Sequence, residues 1–162
     1  MLSRLIFIGL TIQIISCTNP ATQSDLIKNP SLCAAGTKAR VTKVIDGDTI
    51  DVKLQNGDSE RIRYIGIDTP EFEERCFNEA TRRNKALLKD PNIRLIRDTN
   101  NRDRYGRLVR YVCNSDDVFI DAQLIIEGYA TAFHFWPDVR FAEYFSSLEK
   151  TAIKNQAGCL NN

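Results

Sequence analysis

Apolar and polar residues alternate along three stretches in the first half of the chain. Val41, Val44 and Ile45 form the first, and Ile50, Val52 and Leu54 the second. In the third, Ile62 and Tyr64 share one face, and Arg61, Arg63, Ile65 and Ile67 the other. A period of two predicts half-buried strands. Asn56-Gly57 between the second and third predicts a two-residue hairpin turn, since both central positions need positive φ. On that register Arg63 faces Ile50 and Ile65 faces Asp48. Asp48 and Asp68 then approach one end of the hairpin, roughly 10 Å apart along the strands. Gly66 is where a bulge could draw them closer, and Pro70 ends the ladder because it has no N–H to donate.

The second half turns to helical spacing. Residues 76–89 predict a helix with Ala80, Leu87 and Leu88 inward, Arg82, Arg83 and Lys85 on a solvated face, and Pro91 after its end. Residues 92–97 and 107–113 read as strands around the polar loop 98–106, and 120–127 as a short helix closed by Gly128. A last helix is expected from near Pro137, with Phe141, Tyr144, Phe145, Leu148 and Ala152 as its core stripe. Five short strands with a helix after the third predict an α+β fold that is mainly β. The expected architecture is a five-stranded β-barrel of the OB type with three helices.

The chain has 162 residues and a net charge of +1, so length fits one domain and overall charge singles out no partner. Its start reads as an export signal: Arg4, then an apolar run from Leu5 to Ile15, too short to span a bilayer. Ile14-Ile15-Ser16-Cys17 resembles the lipobox of bacterial lipoproteins. That resemblance implies a signal over 1–16, lipidation of Cys17 and a membrane anchor, periplasmic or at the cell surface. An ordinary cleaved signal, with secretion, is the alternative. Residues 17–32 are polar, carry Pro20 and Pro30, and read as a flexible tether to a domain over 33–162.

Cys33, Cys76, Cys113 and Cys159 remain, an even number that in an exported domain implies two disulfides with three possible pairings. Cys76 with Cys113 and Cys33 with Cys159 is the pairing preferred here, the second stapling the domain's start to its end. No CxxC pair is present, which argues against zinc.

The chemistry gathers where the third strand stops. Asp48 and Asp68, with a backbone carbonyl, make an all-oxygen set suited to calcium. Arg63 and Arg107 carry the planar fork that grips phosphate oxygens. Glu71 is placed to orient or deprotonate a water. Asp46-Gly47-Asp48-Thr49, Arg63 with Asp68-Thr69-Pro70-Glu71, and Asp103-Arg104-Tyr105-Gly106-Arg107 together resemble the signature blocks of the staphylococcal nuclease (thermonuclease) family, in the same order. The resemblance runs from about Arg40 to Gly158. It implies Asp48, Asp68 and the Thr69 carbonyl as calcium ligands, and Arg63, Arg107 and Glu71 as catalytic residues. Tyr105, with Arg104 beside it, would line the substrate pocket.

The chain also departs from the family. The loop after Glu71 is shorter, and Phe133 and Phe135 stand where tyrosines are usual, able to stack on a base but not to hydrogen-bond, with a place in the core an equal reading. Trp136 could add a further stacking face. Asp46 is expected to serve the turn. The run Arg94, Arg97, Arg102, Arg104, Arg107 and Arg110 is a candidate for backbone phosphates, and His134, the only histidine, has no partner for a catalytic pair. The reading is a calcium-dependent extracytoplasmic endonuclease, monomeric, cleaving DNA and RNA to 3′-phosphate ends. The rival is a non-catalytic OB-fold lipoprotein that binds single strands.

Overall fold

The computed structural model describes residues 26–160. The export-signal reading and Cys17 lie outside them, as does the first part of the expected tether. Five strands close a barrel in the order β1-β2-β3-β6-β5: β1 Thr37–Val44, β2 Thr49–Leu54, β3 Ser59–Tyr64, β5 Asn92–Ile96 and β6 Leu108–Asn114. All neighbours are antiparallel except β3 and β6, which close the barrel in parallel. A small separate ladder joins β4 (Ile67–Asp68) to β7 (Thr131–Ala132). Helix α2 (Phe77–Leu87) follows β4, α3 (Ile120–Ile126) follows β6, and α4 (Ala142–Lys154) ends the fold. This is the predicted α+β barrel.

A fourth helix, α1 (Pro30–Ala34), was not expected. Five residues are too few to show a helical period. Its start is legible only as Asn29, which caps the Leu32 N–H, and as Pro30 in the first turn. The fold accordingly begins ahead of Cys33: Lys28 bridges Val118, and the Ile27 carbonyl accepts from Phe119 N–H.

The β2–β3 register differs from expectation by one residue. Arg63 faces Thr49, and Ile62 faces Ile50. The turn holds three residues, because Gly57, at φ +93°, sits in the left-handed region after the Leu54–Gly57 turn. The gain is that Ile50 and Ile62, both fully buried, meet inside the barrel. The third strand breaks at Gly66 and restarts as β4 instead of bulging through.

The last helix begins at Ala142, later than Pro137. Residues 135–139 form a turn in which Asp138 N–H bonds to the Phe135 carbonyl, and the Trp136–Pro137 peptide is cis. The buried Asp138 carboxylate also accepts Thr99 N–H and Asn100 N–H at 3.0 and 2.8 Å, tying this turn to the loop after β5. Phe141 and Phe145 pack with Tyr111 and Phe119 at centroid separations of 4.9–6.1 Å, so the expected stripe forms the core between α4 and the barrel. Tyr144 is its exception and is exposed. Arg83 was expected on a solvated face, yet it reaches Glu127 at 2.6 Å and links α2 to the end of α3.

Both disulfides form, but not in the preferred pairing: Cys33 bonds Cys113, and Cys76 bonds Cys159. Helix α1 packs beside β5, and Arg94 of β5 is paired with Cys113 of β6, so Cys33 lies against β6. Cys76 stands at the N-cap of α2, where the chain end after α4 passes.

One carboxyl is buried without full compensation. Asp121, in the first turn of α3, accepts Val112 N–H at 2.9 Å, and its Oδ1 has no hydrogen-bond partner among the described residues. Burial pushes its pKa well above the usual carboxylate range. A raised folded-state pKa contributes stability below the unfolded value, about 3.9, and that stability is lost as pH climbs through the folded value. Asp121→Asn is therefore expected to gain Tm over wild type as pH rises from 4 toward neutrality, with the difference vanishing near pH 4 or below. A pH-independent difference in thermal scans would show that Asp121 is not protonated in the fold.

Candidate active site

The site forms at the ends of β2, β3 and β4. Asp48, 5% exposed, is its hub. Its Oδ1 accepts the Thr49 hydroxyl at 3.1 Å, and its Oδ2 accepts Thr69 N–H at 2.9 Å and the Thr69 hydroxyl at 2.8 Å. Thr69 can come this close because residue 47 is glycine; a Cβ there would stand 2.7 Å from the Thr69 hydroxyl oxygen. Asn84, buried on α2, accepts the Tyr64 hydroxyl and donates to the Asp46 carbonyl, both at 3.0 Å. It thereby fixes the Asp46–Asp48 turn against the end of β3. Asp46 serves that turn as expected, accepting Asp48 N–H at 3.0 Å.

Arg63 joins the two halves. Its Nη1 lies 3.1 Å from Asp48 and donates to the Tyr64 and Ile67 carbonyls at 3.1 and 2.9 Å, while Nη2 donates to Asp68 at 2.7 Å. Among the described residues these contacts leave Nε–H and one Nη2–H for a substrate oxygen. The Asp68 carboxyl is pushed up by burial and by the charges of Asp48 and Glu74, with Arg63 acting against them. Asp46 is also raised, by burial and then by Asp48. A cation at this place would relieve that repulsion.

Across a cleft of about 350 Å³ stands the 103–107 turn. Asp103, which the sequence reading assigned no role, organises it by accepting Tyr105 N–H and Arg107 N–H at 2.9 and 3.0 Å and Arg107 Nε at 2.6 Å. Tyr105 is exposed between two guanidinium groups, with Arg104 and Arg107 at 4.8 and 5.4 Å from its ring centre. Phe133 and Phe135 line the same cleft, half exposed and near-parallel, which favours a stacking surface over a core role. Glu71 lines it too. Its N–H donates to Glu74 at 2.8 Å, and Glu74 N–H returns a bond to the Glu71 carbonyl, so Glu74 shapes the short loop. Neither Glu74 nor Asn84 was singled out from sequence; a carboxylate three residues after Glu71 is the only signal the first offers.

The structure thus gathers Arg63, Asp68, Glu71, Arg104, Tyr105, Arg107, Phe133 and Phe135 around one cleft, with Asp48 and Thr69 directly behind. It disperses the arginine run. Arg102 is taken by Glu60 at 2.8 and 2.6 Å, Arg110 by Asn101 at 2.6 Å, and Arg97 donates to the Thr99 carbonyl. Trp136 is exposed beside the cleft's phenylalanines in sequence but does not line it.

Among known proteins, residues 61–161 match the family described as staphylococcal nuclease homologue. The chain belongs to that family. Thermonuclease of Staphylococcus hyicus is 32% identical over 148 residues, covering 87% of this chain and 86% of the relative. Thermonuclease of Staphylococcus intermedius is 33% identical over 135 residues, 80% of this chain and 79% of its own. Endonuclease YncB of Bacillus subtilis (strain 168) is 32% identical over 134 residues, 74% and 63% of the two chains. As a staphylococcal nuclease homologue, the chain is a nuclease, a hydrolase of phosphodiester bonds.

Asp48 and Asp68 meet at the Arg63 guanidinium, at 3.1 and 2.7 Å, and two carboxylates this close are the oxygen donors a hard divalent cation takes. Among the described residues no three His, Cys, Asp or Glu side chains gather to hold a metal alone. A cation here would draw further ligands from a carbonyl and from water, as hard cations commonly do.

Proposed function

We propose that the chain is a calcium-dependent endonuclease that works outside the cytoplasm on DNA and RNA and leaves 3′-phosphate ends. The observation that carries this reading is the meeting of Arg63, Asp48 and Asp68 at one rim, facing Arg107 and Glu71 across a single cleft. Asp48, Asp68 and the Thr69 carbonyl would hold the cation. When bound, calcium supplies positive charge against the phosphate and polarises a water. Arg63 and Arg107 direct N–H groups at the non-bridging oxygens, where charge grows as water adds to phosphorus. Glu71 accepts the proton of that water. The bond from phosphorus to the 5′ oxygen breaks, that oxygen takes a proton from solvent and leaves as a hydroxyl, and the phosphate stays on the 3′ side. Tyr105, Phe133 and Phe135 hold the neighbouring base by stacking.

Export supports and is supported by the cysteines, since two disulfides persist in an oxidising compartment and are rare in the cytosol. Lipidation at Cys17 would tether the enzyme to a membrane, and the sequence between anchor and fold would let it reach substrate. A monomer suffices for this chemistry, because every assigned residue comes from one chain.

The expected result is degradation of single-stranded DNA and RNA in calcium, no degradation with excess chelator, and 3′-phosphate ends by end-labelling. Equal digestion in chelator would remove the metal from the reaction. Products carrying 5′-phosphate would reverse the assigned direction of cleavage.

A further inference from the structure

The outer face of the barrel carries a cluster of cations that the catalytic cleft does not use. Directly opposed residues on neighbouring strands share a face, and two such pairs are like-charged: Lys38 with Arg94 and Arg40 with Lys53. Opposed like charges destabilise a ladder, so folding alone does not account for them. Lys43 and Arg61 extend the same face over β1 and β3, both paired with Asp51 of β2. Among the described residues Lys38, Arg40, Lys53 and Arg94 make no ion pair, whereas Arg61, Arg63, Arg82, Arg83, Arg102 and Arg107 all do. Carboxylates border the face at Asp51, Asp90 and Asp117. Asp51 is taken by Arg61 at 2.7 and 3.0 Å and also feels the Lys43 charge; Asp90 accepts Asn92 N–H at 2.9 Å and lies within reach of the Arg40 charge; Asp117 borders the hollow that Lys38 and Arg94 line.

A groove connects this face to the site. It is lined by Thr42, Asp51, Ser59, Glu60 and Arg61, with Glu60 paired to Arg102 at 2.8 and 2.6 Å, and it shares Tyr105 and Arg107 with the catalytic cleft. Beyond Arg61 the strand register carries the same outer face on through Lys43, Lys53 and Arg40.

We infer that the outer face of β5, β1, β2 and β3 is a second binding site, a track for the phosphates of the nucleic-acid strand that flanks the bond being cut. This rests on the reading of the chain as a nuclease acting on polynucleotides. Anionic lipid is the other polyanion such a face could meet. Surfaces that dock on lipid combine basic residues with exposed aromatic or leucine side chains. Among the described residues the large exposed apolar side chains lie off this face, at positions such as Phe72, Phe133, Trp136 and Ile153, and Tyr105 stands where the groove meets the cleft. The continuity of the groove with Arg107 favours nucleic acid.

The test uses the full chain, wild type and the double variant Arg40→Ala/Lys53→Ala, both exposed positions. Binding is measured in chelator, so that it is read without cleavage. The probes are a labelled DNA strand of about 20 nucleotides, longer than one OB fold covers, and a dinucleotide that stays within the cleft. The variant is expected to bind the long strand several-fold more weakly, to lower the slope of log K against log salt by about 1.4 for two lost phosphate contacts, and to bind the dinucleotide as wild type does. In calcium, KM for the long strand rises and kcat is unchanged. An unchanged long-strand affinity overturns the track, as does a variant that loses only binding to phosphatidylserine vesicles. Failure of the nuclease reading looks different: wild type would then cut neither probe, while the binding comparison still stands or falls separately.

Discussion

Arg63→Ala is expected to lower kcat by about 10³, the scale for removing preorganised donors to a developing oxyanion. The residue has two tasks in this structure. It offers the substrate the guanidinium edge left after its bonds to Tyr64, Ile67 and Asp68, and it neutralises Asp48 and Asp68 at 3.1 and 2.7 Å. Alanine removes both. Asp48 would keep its threonine partners but lose its only cation in ion-pair contact among the described residues, so a stability loss of about 1–3 kcal/mol accompanies the rate loss. Arg63→Lys separates the tasks. An ammonium restores charge but cannot span two carbonyls, two carboxylates and a phosphate at once. The lysine variant should recover much of the stability in urea unfolding and little of the rate. Recovery of kcat to within tenfold of wild type would show that charge alone matters there and would remove the fork from the mechanism.

Loss of the Cys33–Cys113 bridge should be the most costly change outside the cleft. Both cysteines are fully buried, and the bond closes a loop of 80 residues' separation. The chain-entropy description assigns a loop of that size about 4.5 kcal/mol, a large share of the roughly 5–15 kcal/mol by which domains are stable. Helix α1 depends on it further, since five residues cannot hold a helix unaided. The paired variant Cys33→Ala/Cys113→Ala is expected to unfold at much lower urea concentration, with its N-terminal amides exchanging freely. A loss below about 1 kcal/mol would mean that packing of α1 on the barrel suffices without the bond.

What could be read from the residues followed their spacing. Ile50, Val52, Ile62 and Tyr64 alternate because one face of each strand is inside the barrel, and that period survives any loop. Asp48, Asp68, Arg63 and Arg107 stood out because they fall in three motif blocks in one family order, since aspartate is common in turns for structural reasons alone. The register was not legible to one residue, because Asn56-Gly57 fits both a two-residue turn and the observed three-residue one with Gly57 left-handed. Disulfide pairing was missed for a related reason: which strand lies beside Cys33 depends on barrel closure, not on local pattern. Asn84, Asp103, Glu74 and Asp138 went unassigned because each acts by accepting or donating to backbone far along the chain or within a turn. No periodicity marks such a partner.

The crossed order of the two bridges, Cys33 to Cys113 and Cys76 to Cys159, has a bearing on resistance to proteolysis. Had the links been nested, a nick on either side of the inner pair would have released the middle of the enzyme. With the crossed arrangement, one nick in each of any two of the three intervals between consecutive cysteines still leaves every fragment covalently attached to the others.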